Sequence, residues 1–176
     1  RGSIVELDLR NCFENGLGDD MLTSLLTNGG LAKLERLGMP TNELHSSTIT
    51  TLANFLATNP PLQKLDLEYN GLVDDDADAL SNALRSNTTL RRLDLGGNFD
   101  ISDAGEEAFD LVCHNDDSLN SIADSNHSCV VAGLYHPADS NVNDFHSIVG
   151  LYPFGGWNVD EKPDSFNRAR KIYNLL

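Results

Sequence analysis

The stretch LQKLDLEYNGL at residues 62–72 returns in closely similar form at residues 90–101, as LRRLDLGGNFDI. Both copies place leucine at the first, fourth and sixth positions and asparagine at the ninth. A repeat of this kind is identified before any other feature, because it determines the fold of the whole chain. Four complete copies occur: Ile4, Leu7, Leu9, Cys12; Leu34, Leu37, Met39, Asn42; Leu62, Leu65, Leu67, Asn70; and Leu90, Leu93, Leu95, Asn98.

A weaker fifth copy follows at Leu119 and Ile122, with Asp124 where the other copies have an apolar residue. The copies are almost evenly spaced, so the intervening segments repeat as well. These segments carry apolar residues three and four positions apart, which is typical of helices that bury one face. Two of these stripes are Leu44, Ile49, Leu52, Phe55, Leu56 and Leu72, Ala77, Leu80, Ala83, Leu84.

Each repeat therefore predicts a short strand followed by a helix, and neither can bury its apolar face alone. Stacking the units side by side produces a continuous core. Polar residues recur at the end of each strand, where backbone groups need partners as the chain bends away. We expect these side chains to donate hydrogen bonds to backbone carbonyls of neighbouring turns, forming a structural ladder of Cys12, Asn42, Asn70 and Asn98.

On these motifs the chain resembles the leucine-rich repeat family, and in particular the ribonuclease-inhibitor-like subclass with long repeats of roughly 28–29 residues. The resemblance covers roughly residues 4–128. It implies an α/β solenoid with a curved parallel sheet on the concave side and helices on the convex side. The pairing of SNHSC with a later NRARKIYNLL is also similar to leucine-rich repeat proteins of diatoms and related algae.

We accordingly divide the chain into repeats at residues 1–128, four full and one degenerate, and a C-terminal cap at residues 129–176. The cap is predicted to consist of an irregular loop containing Trp157 and a helix that starts at Asp164 or Ser165. At the other end, nothing in the pattern covers the apolar edge around Ile4, Leu7 and Leu9. The chain begins at RGSIVELDLR without methionine, and we interpret it as a fragment, a processed chain or a tagged chain.

The charge is strongly acidic, at −15, and no Lys or Arg occurs from Leu93 to Glu161. Nucleic acids and anionic membranes both require clustered basic residues, so neither is an expected partner. No apolar segment is long enough to span a bilayer, so direct membrane insertion is not expected. The charge suits a partner protein with a basic surface, or it serves solubility alone. An odd count of three cysteines favours an intracellular location, cytoplasmic or organellar, and the two glycosylation sequons at Asn87 and Asn126 are weak evidence against it.

Motifs for catalysis or cofactor binding are missing from the sequence, which carries no nucleophile motif and no glycine-rich phosphate loop. The run DDDADAL at residues 74–80 lacks the glycine and glutamate of a calcium loop, and its carboxylates suit a helix start. The histidines His114, His127, His136 and His146 match no standard zinc spacing. Cys113 is interpreted as a core residue, with a disulfide to Cys129 as the alternative if the protein is exported. We therefore predict no enzyme, no metal and no cofactor.

The strand pattern also identifies the residues that face away from the core. Parallel strands lie about 4.8 Å apart, so these residues align into a basic row beside an acidic row. We call this surface, together with Tyr69 at its rim, the charged strip. Either its charges neutralise one another, or they form a preformed recognition surface for a partner. The charged strip consists of Asp8, Arg10, Arg36, Lys64, Asp66, Glu68, Tyr69, Arg92 and Asp94.

The repeats and the charged strip together predict a non-enzymatic protein–protein interaction module, an adaptor or a subunit of a larger assembly. The alternative is a regulator of an enzyme with the same fold, either an inhibitor of a basic enzyme or a GTPase activator. A third hypothesis, from another class, places a metal-dependent or hydrolytic activity in the histidine-rich tail.

Overall fold

The computed structural model of the chain describes residues 4–13, 17–29, 32–113, 118, 120, 123 and 125–134. Strands and helices alternate along these residues, as the repeat predicts. Strictly alternating short strands and helices are the arrangement of an α/β solenoid. The elements are β1 Glu6–Asp8, α1 Leu17–Thr27, β2 Arg36–Gly38, α2 Ser46–Ala57, β3 Lys64–Asp66, α3 Asp74–Leu84, β4 Arg92–Asp94, α4 Asp103–Cys113 and β5 Val130–Ala132.

The five strands form one parallel sheet in the order β1-β2-β3-β4-β5. Each strand pairs with the next in the register of the repeat, so that Leu37 lies beside Leu65 and Leu65 beside Leu93. An α/β leucine-rich repeat solenoid is therefore the fold of the described residues, as the sequence predicts.

The core lies between the sheet and the helices. Leucines that point inward from the strands, such as Leu65 and Leu93, are at most 1% exposed. The helix stripes meet them from the other side, and Ile49, Leu52 and Leu80 are fully buried. No helix in the described ranges is long and apolar enough to cross a bilayer.

The fifth strand is not where the period places it. Leu119, Ile122 and Asp124 lie outside the described residues, whereas β5 is Val130–Ala132 and pairs with β4 in register. The sheet therefore continues past residue 128, into the segment that the sequence assigns to the cap. β-Branched valines suit a strand, whereas an aspartate cannot fill an apolar position in a core.

The asparagines of the ladder bond in both directions. Asn70 donates through Nδ2 to the carbonyls of Met39 (2.9 Å) and Leu67 (3.0 Å). Its Oδ1 accepts from the amides of Asn42 (3.0 Å) and Leu44 (3.4 Å). Only the donor contacts to carbonyls are predicted from the sequence, and these acceptor contacts are not. Asn42 and Asn98 repeat the donor contacts one repeat away on either side.

Cys12 behaves differently from the asparagines in its column. Its thiol donates to the carbonyl of Arg10, within its own turn, at 3.4 Å, rather than to a neighbouring turn. The thiol is exposed, and its backbone amide is held by Asn42 Oδ1 at 3.1 Å. Among the described residues Cys12 lies in the first repeat, so it receives the ladder contact without passing it on.

A second set of asparagines holds the turns that lead into the strands. Asn87 is 1% exposed, and its side chain donates to Leu56 O at 2.7 Å and accepts from the amide of Leu90 at 2.8 Å. Asn126 donates to Leu84 O at 2.6 Å and accepts from the amide of Cys129 at 3.1 Å. Both sequon asparagines are therefore structural residues in the folded chain.

Acidic side chains connect the helix N-termini of successive repeats. Asp19 of α1 accepts from the backbone amide of His45 at 2.9 Å and contacts its imidazole Nδ1. Asp74 of α3 accepts from the amide and the hydroxyl of Ser102, at 2.7 and 2.8 Å, just before α4 begins. These carboxylates therefore bridge helices as well as favouring the positive end of a helix dipole.

The first repeat is the least covered part of the fold. Ile4 is 63% exposed and Leu17 59%, while Val5 and Met21 are also exposed. Leu7 and Leu9 are only partly buried, whereas the equivalent residues of the next repeats are fully buried. An open apolar edge at this end agrees with the sequence pattern. The terminal helix, Trp157, His136 and His146 lie outside the described residues.

Candidate functional site

The charged strip lies on the sheet face that points away from the helices. The register places Lys64 between Arg36 and Arg92, and it places Asp66 directly beside Asp94. In β3 and β4 the first and third residues of the strand are partly exposed on this face, and the central leucine is buried on the opposite face. The two rows that the sequence predicts are therefore neighbours in space.

Oppositely charged side chains on this face of the sheet form ion pairs with one another. Arg36 Nη1 lies 3.1 Å from Glu6 Oε2, and Arg92 Nη2 lies 2.8 Å from Asp94 Oδ2. Arg10, which follows β1, reaches across to Asp66 Oδ2 at 3.6 Å. Exposed pairs of this kind add little stability, but they hold the arginines to defined carboxylates.

Glu68 forms a cluster with Asp66 and Asp94, which we call the acidic trio. Burial, with the neighbouring charges of Asp94 and Asp66, raises the pKa of Glu68 to about 7. A hydrogen bond between the carboxyl groups of Glu68 and Asp94 acts in the same direction, and Arg10 opposes it. Burial likewise raises the pKa of Asp66. The trio therefore gathers three carboxyl groups, of which Asp66 is paired with Arg10 and Asp94 with Arg92.

Two consecutive glycines lie beneath the trio and the aromatic residue next to it. A Cβ on Gly96 would lie 3.2 Å from Glu68 Oε1 and 3.5 Å from Asp94 Oδ1. A Cβ on Gly97 would collide with the ring of Tyr69, and Gly97 has a φ of 74°. Only glycine leaves room for the Tyr69 ring at that position. The ring and the carboxylates therefore stand over adjacent residues.

Tyr69 occupies a backbone position that suits glycine. Its φ is 53°, and the same column contains Asn11, Thr41 and Gly97, all with positive φ. Side chains other than Gly, Asn or Asp are uncommon in this left-handed region and cost stability there. The tyrosine is 48% exposed, so little burial offsets that cost.

Phe99 belongs to the same surface, and the sequence analysis missed it. Its side chain is 78% exposed, and its ring packs edge-on against Tyr69 with centroids 6.4 Å apart and an interplanar angle of 72°. The repeat pattern assigns no role to the residue that follows the asparagine, so nothing in the spacing identified Phe99 as exposed.

The cysteines and histidines form no reactive site in the described part of the chain. Cys113 and Cys129 are buried thiols that form no disulfide bond with each other, so the alternative of a disulfide between them is wrong. Burial raises the pKa of the Cys129 thiol well above its usual value. The residues that the structure describes contain no group of three or more His, Cys, Asp or Glu placed to hold a metal ion. Of the four histidines considered for zinc, only His127 lies among them.

Comparison with known protein families supports the repeat. Residues 58–81 and 86–109, which contain β3 and β4 with most of α3 and α4, each match a family model described as Leucine Rich repeat. None of the curated proteins compared with the chain matches it. Leucine-rich repeats generally serve as protein-interaction folds without catalytic activity.

Proposed function

We propose that this chain is a non-enzymatic protein-interaction module that binds a partner protein through the charged strip. The supporting observation is the acidic trio, in which burial and repulsion from the neighbouring charges of Asp94 and Asp66 raise the pKa of Glu68 to about 7. A cationic partner relieves this repulsion. The fold supplies rigidity, because the ladder asparagines hold the end of each strand to its neighbour.

The partner that best fits this surface is a protein with a basic patch. A net charge of −15 and the acidic trio both disfavour nucleic acid. The role would be that of an adaptor or a subunit of a larger assembly. Of the two regulators considered, the trio favours an inhibitor of a basic enzyme, because an acidic surface can cover a basic active site.

Subclass and location are part of the same proposal. The spacing of the repeats, which start at Ile4, Leu34, Leu62 and Leu90, suits the ribonuclease-inhibitor-like subclass, and the resemblance to leucine-rich repeat proteins of diatoms and related algae belongs to the same proposal. The odd count of three cysteines suits a reducing, intracellular compartment.

The test is capture of partners from an extract by the wild-type chain and by an Asp66→Asn/Asp94→Asn variant. Asparagine keeps the size of aspartate and one acceptor oxygen, but it removes the charge and replaces the other oxygen with an amide donor. The matched control, Asp78→Asn/Glu107→Gln, removes two charges from exposed helix positions. We expect salt-sensitive capture that the strip variant loses by about tenfold and the control retains. Equal capture by both variants would contradict the proposal.

A further inference from the structure

The exposed aromatic pair Tyr69–Phe99 is the feature of the charged strip that charge alone does not explain. Among the described aromatic side chains these two are the ones largely exposed, at 48% and 78%. They touch each other edge to face, which leaves ring surface available to solvent. Exposed aromatic residues are typical anchors of protein interfaces.

The carboxylates beside this aromatic pair lie next to it because Gly96 and Gly97 are consecutive. Glu68 and Asp94 stand over Gly96, and Tyr69 stands over Gly97. Consecutive Cα atoms lie only about 3.8 Å apart, so one side chain placed over these glycines can reach carboxylate and ring together. The negative carboxylates beside the rings therefore favour a positively charged side chain that also has a surface able to pack on the rings.

We propose that this surface binds an arginine side chain of the partner protein, with the guanidinium on the carboxylates of Glu68 and Asp94 and its flat face on the Tyr69–Phe99 pair. This inference rests on the proposed function, because it specifies what the partner inserts into the charged strip.

Arginine fits better than lysine for geometric reasons. A guanidinium is planar, donates to two carboxylate oxygens side by side and stacks on an aromatic face at the same time. An ammonium acts as a point charge and makes only the cation–π or the carboxylate contact well. The exposed ring of Phe99 offers apolar surface to the methylene groups of the arginine stem.

Arg92 and Arg10 of the charged strip have other carboxylate contacts. Arg92 holds Asp94 through Oδ2, while Asp94 Oδ1 is the oxygen that lies over Gly96 beside Glu68. Arg10 pairs with Asp66. An incoming guanidinium would replace the proton that Glu68 holds below about pH 7, so binding should release a proton and strengthen as the pH rises through about 7. The charged groups that set this titration are Asp66, Asp94 and Arg10, with Asp8 acting on Asp66 and Arg92 on Asp94.

The probes are three Gly-Ser peptides that differ only at one residue, which is arginine, lysine or its neutral isostere citrulline. Binding is followed by NMR titration of the isotope-labelled chain at low salt and about pH 8, well above the pKa of Glu68. We expect the arginine peptide to bind about three- to tenfold more tightly than the lysine peptide, with citrulline weakest, and shifts centred on Gly96 and Gly97.

The variants are Tyr69→Gly and Phe99→Ala, with Leu111→Ala on α4 as the control for loss of an exposed apolar side chain. Glycine suits the left-handed backbone at position 69, and Phe99 is so exposed that its loss leaves the fold intact. Each strip variant should weaken the arginine peptide about three- to fivefold and bring arginine and lysine closer together, and the control should change neither.

Failure of this inference can be distinguished from failure of the proposed function. Equal affinity for arginine and lysine, unaffected by Tyr69→Gly and Phe99→Ala, would overturn the arginine site. The loss of capture in Asp66→Asn/Asp94→Asn would still stand in that case. Arginine selectivity that survives both aromatic variants would also overturn it, because the rings would then contribute nothing.

Discussion

Asn70 shows how much of the fold a single polar side chain holds. It is 4% exposed, and its side-chain hydrogen bonds reach two strand ends and the amides of the preceding repeat. Buried backbone groups that lose a partner cost more free energy than an ordinary hydrogen bond contributes. The cost of truncating a ladder residue should therefore depend on its position in the stack.

Two truncations in the ladder column, Asn70→Ala and Cys12→Ala, test this dependence on position. Asn70→Ala should lower the free energy of unfolding by about 3 kcal/mol, because several buried backbone groups lose their partners. Cys12→Ala, in the same column but with an exposed side chain that bonds only within its own turn, should cost less than about 0.5 kcal/mol. Urea denaturation measures both. Similar losses would mean that the ladder contacts do not control the stability of the turns.

Glu68 gives the residue-scale pH prediction. Its pKa is raised from 4.5 to about 7, so between these values the folded chain binds more protons than the unfolded chain. The contribution of Glu68 is therefore most favourable below about pH 4.5 and is lost as the pH rises through about 7. Glu68→Gln should raise the free energy of unfolding at about pH 8 by roughly 1 kcal/mol, a figure reduced for the solvent screening of a half-exposed group, and change it little at about pH 5. Thermal denaturation at both pH values measures it, and a benefit at pH 5 equal to that at pH 8 would contradict the raised pKa.

At the scale of elements, the contact between Asp19 and His45 joins α1 to α2. Partial burial raises the pKa of Asp19, but hydrogen bonds from His45 and Thr48 outweigh it and lower the pKa below its usual value. The hydrogen bond to Asp19 raises the pKa of His45 above its usual value. The contribution of Asp19 is lost as the pH falls through its lowered pKa. That of His45 is complete below about pH 6.5 and is lost as the pH rises through its raised pKa.

This contact predicts a pH-limited effect of mutation. Asp19→Asn and His45→Gln should each lower the melting temperature near pH 5.5, where both groups are charged, and have much less effect near pH 9, where the imidazole is neutral. Asp20→Asn, on the exposed side of the same helix turn, is the control. If Asp19→Asn cost as much at high pH as at low pH, its bond to the backbone amide of His45 would be the important one.

Sequence reasoning predicted the repeating elements well because the period itself carries the register. The acidic run at Asp74–Asp76 marks the start of α3, and Leu65 pairs with Leu93 as the spacing requires. The period failed at β5, since Leu93 pairs with Val131 and not with Ile122, where the fifth copy of the motif lies. A repeat count cannot anticipate an enlarged connection, and the valines of β5 do not resemble the leucine pattern.

The candidate surface was predictable in outline only. Alternation along the strands identified its charged members, because residues two apart share a face. The raised pKa of Glu68 depends on burial and on neighbouring charges, and the exposure of Phe99 depends on the path of a turn. Neither is encoded in spacing.

At the scale of the whole molecule, each repeat is stabilised by its neighbours, so the repeats are not equally stable. α1 buries only Gly18 and Leu22, whereas α3 buries Asp76, Ala77, Leu80, Ser81, Ala83 and Leu84. In a solenoid, stability is approximately the sum of the repeats and their interfaces. The first repeat should therefore open before the middle ones.

Hydrogen exchange measures this difference. We expect amides in the hydrogen-bonded part of α1 to exchange at least about tenfold faster than those of α3, because their opening requires only local unfolding. Equal protection in the two helices would show instead that the described repeats unfold as a single cooperative unit.

The buried position of Asn87 also has a consequence for the choice of expression system. In the secretory pathway the sequon Asn87-Thr88-Thr89 would meet the glycosylation machinery while the chain is still unfolded. A sugar on that amide would occupy the space where Asn87 meets the carbonyl of Leu56, so the modified chain could not close the turn before β4. Expression in yeast or insect-cell secretion systems should therefore give misfolded product, and bacterial or cytosolic expression is the appropriate route.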